Sequence, residues 1–321
     1  MSKQFIVISS SILGLGCYRF LVSKGHHVNG FFSLENTDQS MSSININTKF
    51  LQGLVDCPIF SWSIDSDNEN IKNLTSLAVP ENVCLLVAGF PRLISEKILN
   101  LNWDDALGFH MSDLPEGRGR SPQIYTILNK TKRVCSCLFK LSASPDAGEI
   151  ISKQCIVNSD SYILEDIFDI TFKLAHKCLD DYLDPAFTYQ DYDDKHIISS
   201  EYKRRYPKDS EILYCTKLAE IKLLIRAQRD PYPLPFIKFD TLELRLVDYS
   251  CHPLHSNINL DEHNFIIIGS DWKIIVFNFT LNSYEPILKY DKLLLLNTIK
   301  DADCYPFELI FSNKVQSSYF L

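Results

Sequence analysis

The sequence has no apolar run approaching the roughly 18–20 residues that a membrane-crossing helix needs, so no spanning segment and no membrane partner is expected. It has no excess of positive charge either: 32 Lys+Arg stand against 40 Asp+Glu, a net charge of −8. Nonspecific binding to a phosphate backbone is built from clustered cations, so this balance disfavours nucleic acid as a partner. Paired C-x-x-C spacing is missing. The ten cysteines are scattered, Cys135 and Cys137 being the closest two, and no metal site is expected from them. Residues 5–17 are mildly apolar behind Lys3. Ser9, Ser10, Ser11, Gly14 and Gly16 interrupt them and no good cleavage site follows, so they read as strand plus loop rather than a leader. The expectation that follows is a cytoplasmic protein with ten reduced thiols. The phosphate-loop pattern G-x-x-x-x-G-K-[ST], H-E-x-x-H and G-x-S-x-G are absent. Leu13-Gly14-Leu15-Gly16 lacks the third glycine of a dinucleotide fingerprint and reads as a tight turn. There is no internal repeat and no long low-complexity tract.

What is present is an ordinary globular composition, 45% hydrophobic and 22% charged over 321 residues, enough for about two domains. Phe5-Ile6-Val7-Ile8 reads as a buried strand. Helical spacing over 15–24 stops at Gly25, and 28–32 returns as a strand. This is the strand–helix–strand unit of a parallel sheet. Residues 33–80 are Asn- and Ser-rich and read as weak helices in an irregular loop. Strands follow at 83–88, 106–111 and 134–141, with a hairpin or bulge starting at 148–151. A short helix starts at 95–99, and Ser121-Pro122 reads as cap and first-turn proline of another, through Leu128. Asn158 to Ser161 offer caps for a long amphipathic helix over 162–183. Residues 185–208 read as a connecting segment. Beyond it come a short strand at 211–215, a helix capped by Thr216, and strands at 242–248, 265–270, 273–278 and 287–297. The fold class expected is α/β: a Rossmann-like parallel sheet in residues 1–185, a linker over 186–208, and a smaller β-rich, OB- or barrel-like domain over 209–321.

The informative stretch runs from Gly108 to Pro122. His110 sits at the carboxyl end of a buried strand and a loop rich in glycine and proline follows. Ligands of open α/β sheets bind at that edge. Further on, Ser144-Pro145-Asp146-Ala147-Gly148 places an aspartate on a loop at a neighbouring strand end. Two readings stand: an acid/base pair in which Asp146 orients the imidazole, or a structural histidine beside a turn aspartate.

In order along the chain, these segments resemble the 10-formyltetrahydrofolate-dependent formyltransferase family. The His110–Pro122 stretch is similar to that family's Asn-x-His strand end with its Leu-Pro and Arg-Gly, and Asp146-Ala147-Gly148-Glu149-Ile150 to its Asp-x-Gly-x-Ile loop. Phe90, Pro91, Arg92, Leu93 and Ile94 resemble the loop that receives the pterin ring, with Ser144 and Asp146 completing the folate side. Pro231-Tyr232-Pro233 resembles the lead into the C-terminal domain, and 202–209 the family's connecting motif. The resemblance spans about residues 5–290 and implies 10-formyltetrahydrofolate as co-substrate. It implies an amine attacking the formyl carbon, with His110 and Asp146 handling the proton and no metal required. One departure is clear: the family's formyl-oxygen donor, two residues before the histidine, is Gly108 here. Either another group supplies that donor, or the protein binds without efficient turnover.

Within the family the acceptor amine belongs to methionyl-tRNA, glycinamide ribonucleotide or a nucleotide-linked amino sugar. The acidic balance and the single Lys49 in the 33–60 region favour the amino sugar, of the kind used for surface glycans, over tRNA. Met111, Ser112, Asp113, Arg118, Arg120, Lys203 and Arg204 are the substrate-side candidates, the arginines being suited to a pyrophosphate. Arg118 reads equally as a loop salt bridge, and 203–205 as a solvated face. A homodimer is compatible with the resemblance, whose members often dimerise through the C-terminal part.

Overall fold

The computed structural model describes residues 2–35, 46–77, 82–188, 200–229, 232–239, 242–257, 265–281 and 308–311. The chain divides into two compact units, Met1–Arg204 and Arg205–Leu321.

The first unit is built on β1 (Gln4–Ile8), β2 (His27–Ser33), β3 (Ile59–Ser61), β4 (Val83–Val87), β5 (Ala106–His110), β7 (Arg133–Lys140) and β8 (Ile150–Val157). Their order in the sheet is β3-β2-β1-β4-β5-β7-β8. The first five are parallel; β7 runs antiparallel to β5 and β8 antiparallel to β7. Strand alternation sends neighbouring residues to opposite faces. Phe5 and Val7 pack with Leu13 and Leu21 of α1 (Ile12–Ser23) and with Ala175, Cys178 and Leu179 of α6 (Leu164–Leu183). Ile6 and Ile8 pack on the other face with Trp62, Leu74 of α3 (Asp67–Ser76) and Ile98 of α4 (Glu96–Leu99). Burial on both faces is why these strands read as continuous apolar runs. Two further short helices are α2 (Thr48–Leu51) and α5 (Pro122–Leu128). A two-stranded parallel ribbon joins β6 (Arg118–Gly119) to β9 (Glu201–Tyr202).

The second unit holds α7 (Leu218–Ala227) and an antiparallel sheet ordered β10 (Phe236–Phe239), β11 (Leu242–Pro253), β13 (Trp272–Leu281), β12 (Phe265–Ile268), β14 (Glu308–Phe311). Its core gathers Ile221, Ile237, Leu244, Leu246, Ile267, Ile274, Val276 and a fully buried Trp272. The α/β front and β-rich back match the expected class. No helix among the described residues is long and apolar enough to cross a membrane.

Several local expectations are corrected. Leu13-Gly14-Leu15-Gly16 is not a turn but lies inside α1, which begins at Ile12. A Cβ on Gly14 would overlap the Ser9 side chain and stand 3.3 Å from the Ala88 carbonyl oxygen, so the glycine lets the helix lie against the sheet. The residue before α6 is Ile163, and the Asp166 carboxylate, not Asn158 or Ser161, accepts its N–H at 3.0 Å. Ser121 precedes α5 without a side-chain cap bond. Thr216 accepts from the Leu213 N–H instead of capping α7. Residues 211–215 form no strand beyond one bridge from Glu211 to Phe236. The expected strand at 287–297 and residues 189–199 of the connecting segment lie outside the described residues. Not all thiols are free: Cys135 and Cys155, paired on β7 and β8, form a disulfide. Antiparallel register sets the two residues directly opposite, which sequence spacing does not reveal.

Candidate active site

The site is set by the parity of β5. Leu107 and Phe109 join the core under α1 and α6, whereas Ala106 joins the cluster on the opposite face. Gly108 and His110 therefore point to that second face. His110 is buried, with 7% of its surface exposed. Its Nε2 lies 2.8 Å from the Gly117 carbonyl oxygen and its Nδ1 3.5 Å from Asp146 Oδ1. An oxygen thus stands near each ring nitrogen, at hydrogen-bond distance from Nε2 and at ion-pair distance from Nδ1. Asp146 is held in turn. Its Oδ2 accepts the Gly119 N–H at 3.0 Å, and its backbone is left-handed (φ 51°). A carboxylate fixed on one side by a backbone N–H and facing an imidazole on the other can hold the orientation of that ring.

Asp146 does not reach His110 from a neighbouring carboxyl edge. β7 runs antiparallel, so its end lies beside the start of β5, with Leu141 N–H bonded to the Ala106 carbonyl at 2.7 Å. The loop over 141–149 returns across the face of the sheet to bring the carboxylate to the ring.

Gly108 leaves no empty space. A Cβ there would stand 2.6 Å from Leu141 Cδ2 and 3.1 Å from Phe139 Cζ. Leu141 belongs to the same apolar cluster as Phe90 and Ile94, so these three share the face of the sheet that carries His110. Phe90 meets Trp62 edge-on at 5.4 Å, and Leu93 is 75% exposed. Pro91 is partly exposed and Arg92 exposed; Ser144 is exposed, its carbonyl accepting from Ser142 Oγ at 2.8 Å.

The substrate-side candidates divide. Met111 does not join the site: it is buried in the α1/α6 core, with Ser136 Oγ on its sulfur at 3.1 Å. Ser112 is also buried and donates to the Glu116 carbonyl at 2.8 Å. Asp113 is engaged by Arg133 and, at 3.3 Å, by Lys153. All three are engaged within the protein. Arg118 keeps a buried Nε that has no hydrogen-bond partner among the described residues, so the salt-bridge reading gains no support at that atom. Arg120, Lys203 and Arg204 are exposed, and the Lys203 carbonyl accepts from Tyr125 Oη at 3.0 Å.

The sequence reading missed Gly117, Gly119, Ser200 and Tyr202. The two glycines have left-handed backbones (φ 73° and 101°), which a side chain would strain. Their alternation around Arg118 was a visible signal. The two residues that face them come some 80 positions later, with no local pattern to mark them.

No family model matches the chain. The fold is that of the formyltransferases. A methionyl-tRNA formyltransferase from Clostridium thermocellum is 19% identical, with 89% of this chain and 99% of the other covered and a TM-score of 0.54. A sugar 3N-formyltransferase, WlaRD, solved in the presence of dTDP and 5-N-formyl-THF, matches with the same identity, coverage and TM-score (19%, 89%, 99%, 0.54). HypX from Aquifex aeolicus, solved with tetrahydrofolic acid, gives a TM-score of 0.62 at 13% identity over 89% of this chain. The chain spans about half of HypX, 46% of its length. At these identities the likeness is one of fold.

Proposed function

We propose that the protein is an N-formyltransferase that passes the formyl group of 10-formyltetrahydrofolate to the amine of a nucleotide-linked deoxyaminosugar. The observation that carries the reading is the buried His110 held between Asp146 and the Gly117 carbonyl, on a face shared with Phe90, Ile94 and Leu141. That apolar group, with exposed Leu93 beside it, suits a flat pterin ring. The amine attacks the formyl carbon, the bond from that carbon to folate N10 breaks, and the proton lost by the amine ends on N10. His110 takes that proton or, as imidazolium, stabilises the oxyanion; Asp146 keeps the ring oriented. Residues 1–185 carry this chemistry.

Arg118 and Arg120, with Lys203 and Arg204, are the cations that this reading assigns to a pyrophosphate, whose oxygens suit guanidinium groups. The fold does not separate sugar from tRNA acceptors; the −8 charge is what favours the sugar.

The test is incubation with 10-formyltetrahydrofolate and a panel of dTDP- and UDP-linked amino sugars, read by mass spectrometry for the formamide. A formylated sugar is expected. Formyl-methionyl-tRNA from a parallel incubation with methionyl-tRNA, with no sugar product, would make it the tRNA enzyme. Folate binding with no product from any amine would make it a binding protein on the same scaffold.

A further inference from the structure

The β6 segment is held on both edges. On one edge, the Arg118 N–H donates to the Ser200 carbonyl at 3.0 Å and the Arg120 N–H to the Tyr202 carbonyl at 3.2 Å. The Gly117 N–H donates to Ser200 Oγ at 2.8 Å. On the other edge, the Gly119 N–H goes to Asp146 and the Gly117 carbonyl faces His110. The same short tape therefore grips the 200–203 strap through the N–H groups of 117, 118 and 120 and the Asp146 carboxylate through that of 119. A two-residue strand has little stability of its own, and its flanking glycines are costly to order. The strap supplies what the tape lacks. The Tyr202 ring stacks on Tyr125 (4.4 Å, 15°) and lies where a Cβ of Gly117 would stand 2.5 Å from it; its carbonyl lies 2.5 Å from the place of a Gly119 Cβ.

We propose that Ser200 and Tyr202 are positioning residues for the His110–Asp146 pair, acting through the backbone of residues 117–119. As a statement about catalysis it rests on the formyl-transfer reading; as a statement about His110 it does not. Among the described residues the strap forms no hydrogen bond or ion pair with either side chain of the pair. It fixes the carbonyl at His110 Nε2 and the N–H at Asp146 Oδ2, and so sets the distance between the two. Tyr202 does this with its ring and main chain, while its hydroxyl faces the Asn129 side chain.

The experiment uses the full chain with Tyr202→Ala, Tyr202→Phe and Ser200→Ala. Two readouts are taken at one pH: the imidazole nitrogen signals of His110 by NMR, assigned by their loss in His110→Gln, and kcat and KM for formyl transfer. Tyr202→Ala is expected to move the His110 signals and to lower kcat by about 10- to 100-fold, as misplacement of reacting groups does, with KM for the folate within about twofold. Tyr202→Phe should restore both. A folded Tyr202→Ala with unchanged His110 signals overturns the proposal, as does a loss that Tyr202→Phe fails to rescue. If Tyr202→Ala does not fold, Ser200→Ala decides: moved His110 signals sustain the proposal, and unchanged ones overturn it. If the wild type transfers no formyl group, the NMR arm still decides on the strap, and only the functional reading falls.

Discussion

Gly108 carries an expectation that the structure changes. A family resemblance marks the position as one where a polar side chain is missing, and the obvious repair is to put an asparagine back. The space is already taken by Leu141 and Phe139, whose atoms would stand 2.6 and 3.1 Å from a new Cβ. Gly108→Asn alone should therefore lower stability by about 1–3 kcal/mol, the usual cost of overpacking, read as the urea midpoint, and should not raise turnover. Adding Leu141→Ala should recover most of that stability. A Gly108→Asn variant as stable as the parent would show that Leu141 moves aside freely. At this scale His110 and Asp146 were legible because their residue types and flanking turns are distinctive. Met111, Ser112 and Asp113 were not. They follow the histidine directly, but the chain turns there, sending Met111 into the α1/α6 core and Asp113 to Arg133 and Lys153.

Among the elements, the strands buried on both faces and the α6 stripe were legible from apolar pattern. Leu164, Ile167, Phe168, Ala175, Cys178, Leu179 and Tyr182 are all buried on α6, each large apolar member contributing about 1.5–3 kcal/mol. What pattern did not reveal was direction. The antiparallel run of β7 and β8 is fixed by pairing across the sheet, and it alone explains how Asp146 approaches His110. Helix starts were misread where a tertiary contact outweighs local preference. Two glycines look like a turn, yet Gly14 sits in α1 because any side chain would press on Ser9 and the Ala88 carbonyl. Alanine is the better helix former by about 1 kcal/mol, but here the clash should win. Gly14→Ala is expected to destabilise by about 1–3 kcal/mol in urea unfolding; a gain in stability would mean that α1 is not pinned to the sheet.

For the whole molecule, the sequence and the structure agree on an α/β unit followed by a β-rich one, the structural division falling between Arg204 and Arg205. The strap that holds the His110 loop, residues 200–203, closes the first unit immediately before that division. Solved formyltransferases acting on a tRNA and on a sugar are equally similar in fold, both with a TM-score of 0.54. The choice of acceptor therefore rests on charge, a property of the whole surface. The central claim is narrower than the acceptor: that His110, oriented by Asp146, serves folate-dependent formyl transfer. It is tested most directly by the acceptor-dependent release of tetrahydrofolate from 10-formyltetrahydrofolate, comparing the wild type with His110→Ala. The account predicts release by the wild type and a fall in kcat of about 10²-fold or more in the variant; a variant that keeps the wild-type rate, or a wild type no faster than the reaction without protein, would contradict it.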